Sequence, residues 1–579
     1  MNIKSIFPIF DWLSNYKKEW LKGDLGAGLT VGVMLIPQGM AYASIAGLPP
    51  IYGLYASIVP LFIYAILGTS RQLAIGPSAM IALLTATSLG SFTGLSIEQY
   101  IAYAILLAFI VGSIQFLLGV FRLGFLVNFL SHPVISGFTS GAALIIGIGQ
   151  LKSLLGIKIP RSHHINEIFM NIYDKFSEIN WISVAIGIAG IGLILLFKKI
   201  NKALPSQLFA VIFGVLIVTF FGLNSGDNKI DIVGNIPSEI PKFQVPNFNW
   251  ELINTLLPMA LTIALVSFME SIAVAKAVQS KNREYKIIPN QELISIGFAN
   301  IVGSFFQSFP TTGGFSRTAV NVQAGAKTGL ATIISGVLVF LTLLFLTPYF
   351  YNLPKAILAA IIMVGVFGLI DYKEVIHLWK SNKTDFYLLI ITFFATLTIG
   401  IEKGIGLGVI LSLAMVILKT TRPHVAVLAN IHGTHFYRNI ARFGKNVILK
   451  KDILIVRFDA QLYFANTTFF IDKLEELVTE KGADLKLIII DGESMNNLDS
   501  SGVHALKEVI DYYKSKNIEI AFSGMKGPVR DAMQKGGVID KISFDHCFMS
   551  IQDAVDCYER TCKNETADKS FSEFIKQTN

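Results

Sequence analysis

Charge is scarce in this sequence: 15% of its 579 residues are Asp, Glu, Lys or Arg, against 53% hydrophobic. Between Leu25 and Gln150 only Arg71, Glu98 and Arg122 are charged. With a mean hydropathy of +0.57, so little charge excludes an ordinary soluble globule. Cysteine is scarcer still. Cys547, Cys557 and Cys562 are the whole complement, and their spacing fits no zinc pattern. A cytosolic location keeps them reduced, and they are assigned no function. No cofactor is expected, beyond a proton as coupling ion. Met1 to Asp24 lacks a continuous apolar run. Lys17, Lys18 and Lys22 alternate there with Phe7, Phe10, Trp12 and Trp20, which argues against a signal peptide and for an interfacial amphipathic helix on the cytosolic side.

What the chain has in quantity is apolar runs of about 20 residues, the length that spans a bilayer. They read as 27–45, 52–69, a short 77–90, 100–120, 134–151, 182–197 and 205–223. A polar segment follows, Asn224 to Asn249, with Pro237, Pro241 and Pro246. Then come 252–275, 290–308, a short run from about 315, 328–347, 354–370, 385–400 and 404–419. The fold class is a polytopic α-helical membrane protein with 14 segments in a 7+7 pattern.

Starting inside, Arg71, Arg122, Lys198-Lys199-Lys202, Lys276-Lys281-Arg283-Lys286, Lys373-Lys380-Lys383 and Lys419-Arg422 fall on the cytosolic side. The net charge of +8 therefore reflects membrane topology and not nucleic-acid binding. Lys152 and Lys158 fall outside, against the pattern. An odd number of spans per half inverts the second half relative to the first, as in many secondary transporters.

Segments 3 and 10 are too short to span, and each follows a Gly-rich break: Gly76-Pro77-Ser78-Ala79-Met80 and Thr312-Gly313-Gly314-Phe315-Ser316-Arg317. Inversion points both N-termini at the bilayer centre, each worth roughly half a positive charge. Backbone so placed must line a protein-enclosed cavity, and an anion is the solute it suits.

After Arg422 the composition changes. Apolar runs Ile453-Leu454-Ile455-Val456 and Leu487-Ile488-Ile489-Ile490 alternate with charged helical patterns such as Thr468 to Lys481, the sign of a soluble α/β domain. The expected organisation is an N-terminal segment 1–24, a transmembrane domain 25–422, a cytosolic domain 423–562 and a disordered tail 563–579.

The chain resembles the sulfate permease family of anion transporters, the solute carrier 26 group in animals. The matching residues are Gly23-Asp24-Leu25, Ile36-Pro37-Gln38-Gly39-Met40-Ala41-Tyr42, Leu48-Pro49-Pro50-Ile51-Tyr52-Gly53-Leu54-Tyr55 and the two turns. The C-terminal domain resembles the sulfate-transporter and anti-sigma-antagonist domain through Leu487 to Asp491 and Asp499-Ser500-Ser501-Gly502. The resemblance covers nearly the whole chain. It implies a core (segments 1–4 and 8–11) sliding against a gate (5–7 and 12–14), usually in a homodimer.

Arg317, in the first turn of segment 10, opposes the helix dipole unless an anion or carboxylate compensates. Anion attraction is favoured over a structural ion pair. Glu270 lies well inside segment 8, where an unpaired carboxylate is by default a functional candidate, and a proton relay is the favoured role. Sodium-coupled bicarbonate carriers of the family have aspartate there and threonine one turn later. Here the second position is Val274, which offers no oxygen to a hard cation, so protons are preferred to sodium. Gln38 and Tyr42, one turn apart, share a face of segment 1, which the resemblance sets against the substrate. Ser78 and Ser316 and the N–H groups of Ala79 and Arg317 complete the expected anion site, with Thr311 and Thr312 as lesser contributors. In the soluble domain Asp499 reads as a helix cap. The resemblance marks Ser501 as the matching phosphorylation position.

The resulting expectation is a non-enzymatic secondary transporter of a small inorganic anion, sulfate first, coupled to protons. It would sit in the plasma membrane with both termini cytosolic. Sodium–bicarbonate symport, dicarboxylate uptake, chloride-linked exchange and an anion sensor signalling through the soluble domain are the alternatives. A regulatory protein docking on that domain is a further expectation.

Overall fold

The computed structural model describes residues 7–563 apart from 91, 93, 126–130, 160–164, 202–203, 226–228 and 282–284. The tail from 564, residues 1–6, and Lys202 and Arg283 of the basic clusters lie outside the described residues. The chain divides into two compact units at 412/413, a boundary that falls inside the helix Ile401–Thr421, which is described with the first.

The first unit is helical. Its first half runs α1 (Trp20–Ala46), α2 (Val59–Leu67), β1 (Ile75–Gly76), α3 (Ala79–Gly90), α4 (Ile97–Val120), α5 (His132–Gly149), α6 (Trp181–Ile200) and α7 (Ser206–Phe221). The second half runs α8 (Trp250–Lys281), α9 (Pro289–Ser304), β2 (Thr312–Gly313), α10 (Phe315–Gln323), α11 (Leu330–Phe345), α12 (Lys355–Phe367), α13 (Lys383–Thr398) and α14 (Ile401–Thr421). Local sequence sets many of the ends. Ser96 and Gln99 form a reciprocal capping box on α4. Asn180 and Asn382 cap α6 and α13, and Gly222 ends α7 in the left-handed conformation. By length and composition, seven of the described helices are apolar enough to cross a membrane, with shorter apolar ones between them.

The packing repeats between halves. α1 packs on α11 as α8 packs on α4; α5 on α13 as α12 on α6; α9 on α4 as α2 on α11. Advancing every label by seven maps each contact onto its partner. Among the described residues the one sheet in the unit joins the halves, β1 to β2, and it is antiparallel, the relation that inverted halves demand. Of the N-terminal segment, Ile9–Ser14 is helical and Trp12 is buried against Gly329. The last turn before Asp24 already belongs to α1.

Close approach explains part of the motif in α1. A Cβ on Gly53 would sit 1.9 Å from the Gly39 carbonyl oxygen, so α1 and the Ile51–Tyr55 turn touch backbone to backbone. Asp24 is fully buried and accepts hydrogen bonds from Lys327 N (2.6 Å), Thr328 N (3.0 Å) and Thr328 Oγ1 (2.6 Å) ahead of α11.

The second unit is an α/β layer. Its sheet contains β3 (Val425–Ile431), β4 (Tyr437–Asn439), β5 (Val447–Ile448), β6 (Ile453–Phe458), β7 (Leu487–Asp491), β8 (Glu519–Ser523) and β9 (Cys547–Phe548). The order is β4-β3-β6-β7-β8-β9, with β5 beside β3 and the β6–β9 pairs parallel. The helices are α15 (Thr467–Lys481), α16 (Ser500–Ser515), α17 (Gly527–Lys535) and α18 (Ile551–Lys563), together with the single turns Ile440–Phe443 and Ile539–Ile542. β7 is buried at every position, which is why it reads as an unbroken apolar run. Asp499 does cap α16, accepting from Gly502 N at 2.8 Å. Ser501 is half-buried in that first turn. Cys547 is half-buried, and burial pushes its thiol up to about 11, so it is inert near neutral pH.

Candidate functional site

Both half-helices start from the two-residue strands. Ile75 pairs with Gly313 and Gly76 with Thr312. The Gly314 N–H donates to the Ala74 carbonyl at 3.0 Å, and the Ala74 N–H donates to the Thr318 hydroxyl at 3.0 Å. The two N-termini are thus stapled together. Gly76 lies at φ +144°, a region that side chains with a Cβ avoid. Ser78 caps α3: its hydroxyl accepts from Ile81 N at 3.3 Å and donates to Glu270 Oε2 at 3.3 Å. The cap position of α10 is Gly314, which has no side chain for the purpose. The first N–H groups of α10, from Phe315, Ser316 and Arg317, therefore lack partners within the helix.

Arg317 is 2% exposed. Its Nη1 donates to the Pro77 carbonyl at 2.7 Å, crossing from one turn to the other. Among the described residues its Nε and Nη2 find no hydrogen-bond partner, and both are buried. Glu270 and Tyr42 lie within electrostatic reach, yet no ion pair closer than 4.0 Å joins Arg317 to a carboxylate among the described residues. The guanidinium is anchored at one nitrogen and unused at the other two.

The remaining predicted residues divide into two groups. Tyr42 and Glu270 share the electrostatic neighbourhood of Arg317, and Ser78 touches Glu270 directly. Gln38, one turn before Tyr42, is 3% exposed, and its buried Oε1 has no partner among the described residues. It follows Pro37, whose missing N–H leaves the Val33 carbonyl without its helical donor. Tyr42 points its hydroxyl toward α12, where a Cβ on Gly365 would lie 3.8 Å away. Ala79 is buried as the first residue of α3. Thr312 and Ser316 stand apart. The Thr312 hydroxyl is taken up by the Ser267 carbonyl and the Ser271 hydroxyl, each at 2.8 Å, and Ser316 is exposed on α10.

A sequence model described as "Sulfate permease family" matches residues 21–392, and one described as "STAS domain" matches residues 445–554. The chain belongs to the sulfate permease family. Among curated proteins, Sulfate transporter 4.1, chloroplastic, of Arabidopsis thaliana is 40% identical, covering 98% of this chain and 85% of its own. High affinity sulfate transporter 2 of Stylosanthes hamata is 33% identical, over 96% of this chain and 87% of its own. Among solved structures, the murine Solute Carrier 26 family member A9 anion transporter superposes with a TM-score of 0.88. It is 27% identical and covers 96% of this chain and 94% of that one. This permease is a multi-pass membrane transporter of inorganic anions, not an enzyme, and it carries a C-terminal STAS domain.

Behind the permease's two turns lies a polar network that its sequence did not announce. The Asn300 Oδ1 accepts from Thr311 N (2.8 Å) and Thr311 Oγ1 (2.9 Å), and its Nδ2 donates to Gln115 Oε1 (3.2 Å) and the Thr311 carbonyl (3.1 Å). Gln115 donates to the Ser267 hydroxyl (3.1 Å), and Ser271 Oγ accepts from Gly313 N (2.8 Å). All of these side chains are buried. They fix β2 to α4, α8 and α9, and Ser271 directly follows Glu270. The i, i+4 spacing of Ser267 and Ser271 was the available signal, the same one that paired Gln38 with Tyr42. A second missed residue is Glu292, fully buried, which accepts from Tyr64 Oη (2.8 Å), Thr69 N (2.7 Å), Thr69 Oγ1 (2.5 Å) and Ser70 N (3.1 Å). It ties α2 and the approach to β1 onto α9. In sequence it reads as an ordinary acid in the first turn of a helix.

Proposed function

We propose that the permease is a proton-coupled sulfate symporter whose anion seat is the space between the two half-helix N-termini. The observation that carries this reading is Arg317: fully buried charge, one donor tied to Pro77, two donors without a protein partner. A guanidinium fork matches two oxygens of a tetrahedral oxyanion, and buried donors left unmade are costly. The names of the plant relatives favour sulfate over other oxyanions.

Coupling is read from Glu270. Ionised, it would cancel Arg317 and leave a dianion with no net attraction; protonated, it leaves one positive charge facing the substrate. Its contact with the Ser78 hydroxyl links that protonation to the cap of α3. Sodium has less support, because Val274 is apolar and buried and the neighbouring Ser271 and Thr312 oxygens already bond each other.

Movement is proposed as an elevator. Hydrogen bonds join the two turns, α2, α4, α8 and α9 into one continuous body, so the seat travels with its walls against α5–α7 and α12–α14. A homodimer in the plasma membrane with both termini cytosolic completes the proposal. A regulatory role for the STAS domain, with Ser501 as its modification position, ranks behind the capping role of its turn.

The test is uptake of labelled sulfate, bicarbonate, succinate and chloride by the full chain in proteoliposomes, with pH and sodium gradients imposed separately. Sulfate accumulation driven by the pH gradient is the expected result. Accumulation driven by sodium at fixed pH would overturn the proton reading, and preference for bicarbonate would overturn the substrate.

A further inference from the structure

In an elevator, the core helices α1–α4 and α8–α11 move against the gate helices α5–α7 and α12–α14. The chain passes from one set to the other after α4, after α7 and after α11. With an inside start the first crossing is cytosolic, and it lies partly outside the described residues. The other two, 222–249 and 346–354, both fall on the outer face, and they are bonded to each other.

They are tied at two levels. On the gate side, the Val233 N–H donates to the Leu353 carbonyl at 2.8 Å, and the Gly234 N–H to the Tyr351 carbonyl at 3.1 Å. Ile232 and Pro354 form an antiparallel bridge beside them. On the core side, the hydroxyls of Ser238 and Thr347 share a hydrogen bond of 2.6 Å. Outside these clamps each end of the first crossing keeps to one set. Before Gly234 it holds to the gate: the Lys229 carbonyl accepts from Asn180 Nδ2 at 3.0 Å, and the Ile230 N–H donates to the Leu223 carbonyl at 3.0 Å. After Ser238 it holds to the core: the Glu239 carbonyl accepts from Tyr55 Oη at 3.0 Å, and the Gln244 N–H donates to the Phe305 carbonyl at 2.8 Å. Phe243 stacks on Phe305 there, with ring centroids 5.7 Å apart.

What remains between the clamps is short. Residues 235–237 carry one strand from gate to core, and 348–350 carry the other from core to gate. Each contains a proline, Pro237 and Pro348. Proline has no N–H to donate, so the strands do not zip into a longer ladder between the clamps. Ile236 and Phe350, one from each strand, are buried. Even fully extended, the four steps from Gly234 to Ser238 reach at most about 14 Å. Two such strands side by side bend more readily than they lengthen, which is how a few residues act as a hinge.

We infer that the paired outer crossings are the hinge of the transporter. Both clamps stay closed through the cycle, the outer ends of core and gate keep their spacing, and the core swings about the outer face. This rests on the elevator reading and on the inside-start orientation, and it gives that movement a pivot. Across a hydrocarbon layer of about 30 Å, the cytosolic ends lie about twice as far from the hinge as the midplane seat does. Whatever distance the seat travels, the cytosolic ends travel farther and the outer ends hardly move.

Two helices serve as rulers. Glu251 and Ala277 lie toward the outer and cytosolic ends of α8, Glu178 lies just before α6 and Lys199 near its end, and all four are exposed. The experiment uses the full chain in lipid nanodiscs, with Cys547, Cys557 and Cys562 changed to serine and spin labels on introduced cysteines. Distances are read by pulsed electron spin resonance with and without sulfate, on both sides of neutral pH. The cytosolic pair, Lys199→Cys with Ala277→Cys, should change at least about three times as much as the outer pair, Glu178→Cys with Glu251→Cys. Equal changes at the two faces, or a larger change outside, overturn the hinge while leaving the elevator. No change at either face in a chain that accumulates sulfate overturns the elevator, and the hinge falls with it. A second arm closes the core-side clamp covalently through Ser238→Cys with Thr347→Cys, where the hydroxyl spacing of 2.6 Å approaches a sulfur–sulfur bond of about 2.05 Å. Sulfate uptake by the oxidised protein should match that of the reduced one. Loss of uptake that reductant restores would show that the clamp must open, and a pair that does not oxidise would show that it is not closed. Either result overturns the hinge.

Discussion

The two half-helix turns occupy equivalent places in an inverted pair, yet they are built differently. The first is capped by Ser78, continues into a twelve-residue helix that is mostly apolar and mostly buried, and carries no charge. The second is capped by nothing, continues for nine residues, and places Arg317 and Asn321 in the interior. Its Gly313 and Gly314 leave room for packing: a Cβ on Gly313 would meet Leu73 at 2.8 Å, and one on Gly314 would meet Arg317 Nη2 at 2.7 Å. The first turn is a pedestal, with its capping hydroxyl already satisfied. The second holds its polar groups open. An anion carrier needs both, because a site that satisfied all its own donors would not bind, and one that satisfied none would not stay folded.

This asymmetry can be broken experimentally. The largest effect is expected from Arg317→Ala, which removes the open donors: sulfate KM should rise about 100-fold, in line with roughly 2–4 kcal/mol for a buried charged contact. Lysine at 317 should recover only part, lacking the fork. Retained affinity in the alanine variant would show that the second turn is not the binding side.

Next comes Glu270→Gln. Uphill accumulation on a pH gradient should disappear while sulfate exchange persists, and exchange should lose its dependence on pH between about 5 and 8. Unchanged proton-driven uptake would remove Glu270 from the coupling step. Asn300→Ala should destabilise the protein by about 1–3 kcal/mol, seen as lower thermal stability in detergent. It leaves the groups of Thr311 unpaired, and a stability matching wild type would show that the network does not hold β2.

The smallest and sharpest comparison sets Ser78→Ala against Gly314→Ala. Losing the cap should cost about 1 kcal/mol of stability with a modest change in KM. The added methyl at 314 should displace the guanidinium and raise KM with little loss of stability. If the two variants behaved alike, the distinction between pedestal and open turn would fail.

The sequence conveyed these two turns more fully than the surroundings that make them work. Paired Gly-rich breaks before short apolar runs are local signals, and charge counting supplied their inversion. Glu270 and Arg317 stood out because a charge in an apolar run is conspicuous. Thr312 shows the opposite case: a hydroxyl in sequence says nothing about which way it faces, and this one turns to Ser267 and Ser271. Asn300, Gln115 and Glu292 were silent because each becomes meaningful only through partners far away in the chain. Glu292 meets Tyr64 across 228 positions. The capping of α16 by Asp499, by contrast, needs only three residues of sequence and was plain from the start.

The staple between β1 and β2 has a consequence for synthesis. Arg317 meets Pro77 across 240 positions of chain. At roughly 5–20 residues per second, the first turn enters the bilayer on the order of ten or more seconds before its partner strand exists. During that interval its backbone groups must be sheltered by other means, since hydrocarbon offers them nothing. A ribosome that stalls before residue 312 leaves a half with no edge to pair. The quality-control machinery of the membrane has a defined moment at which to recognise it.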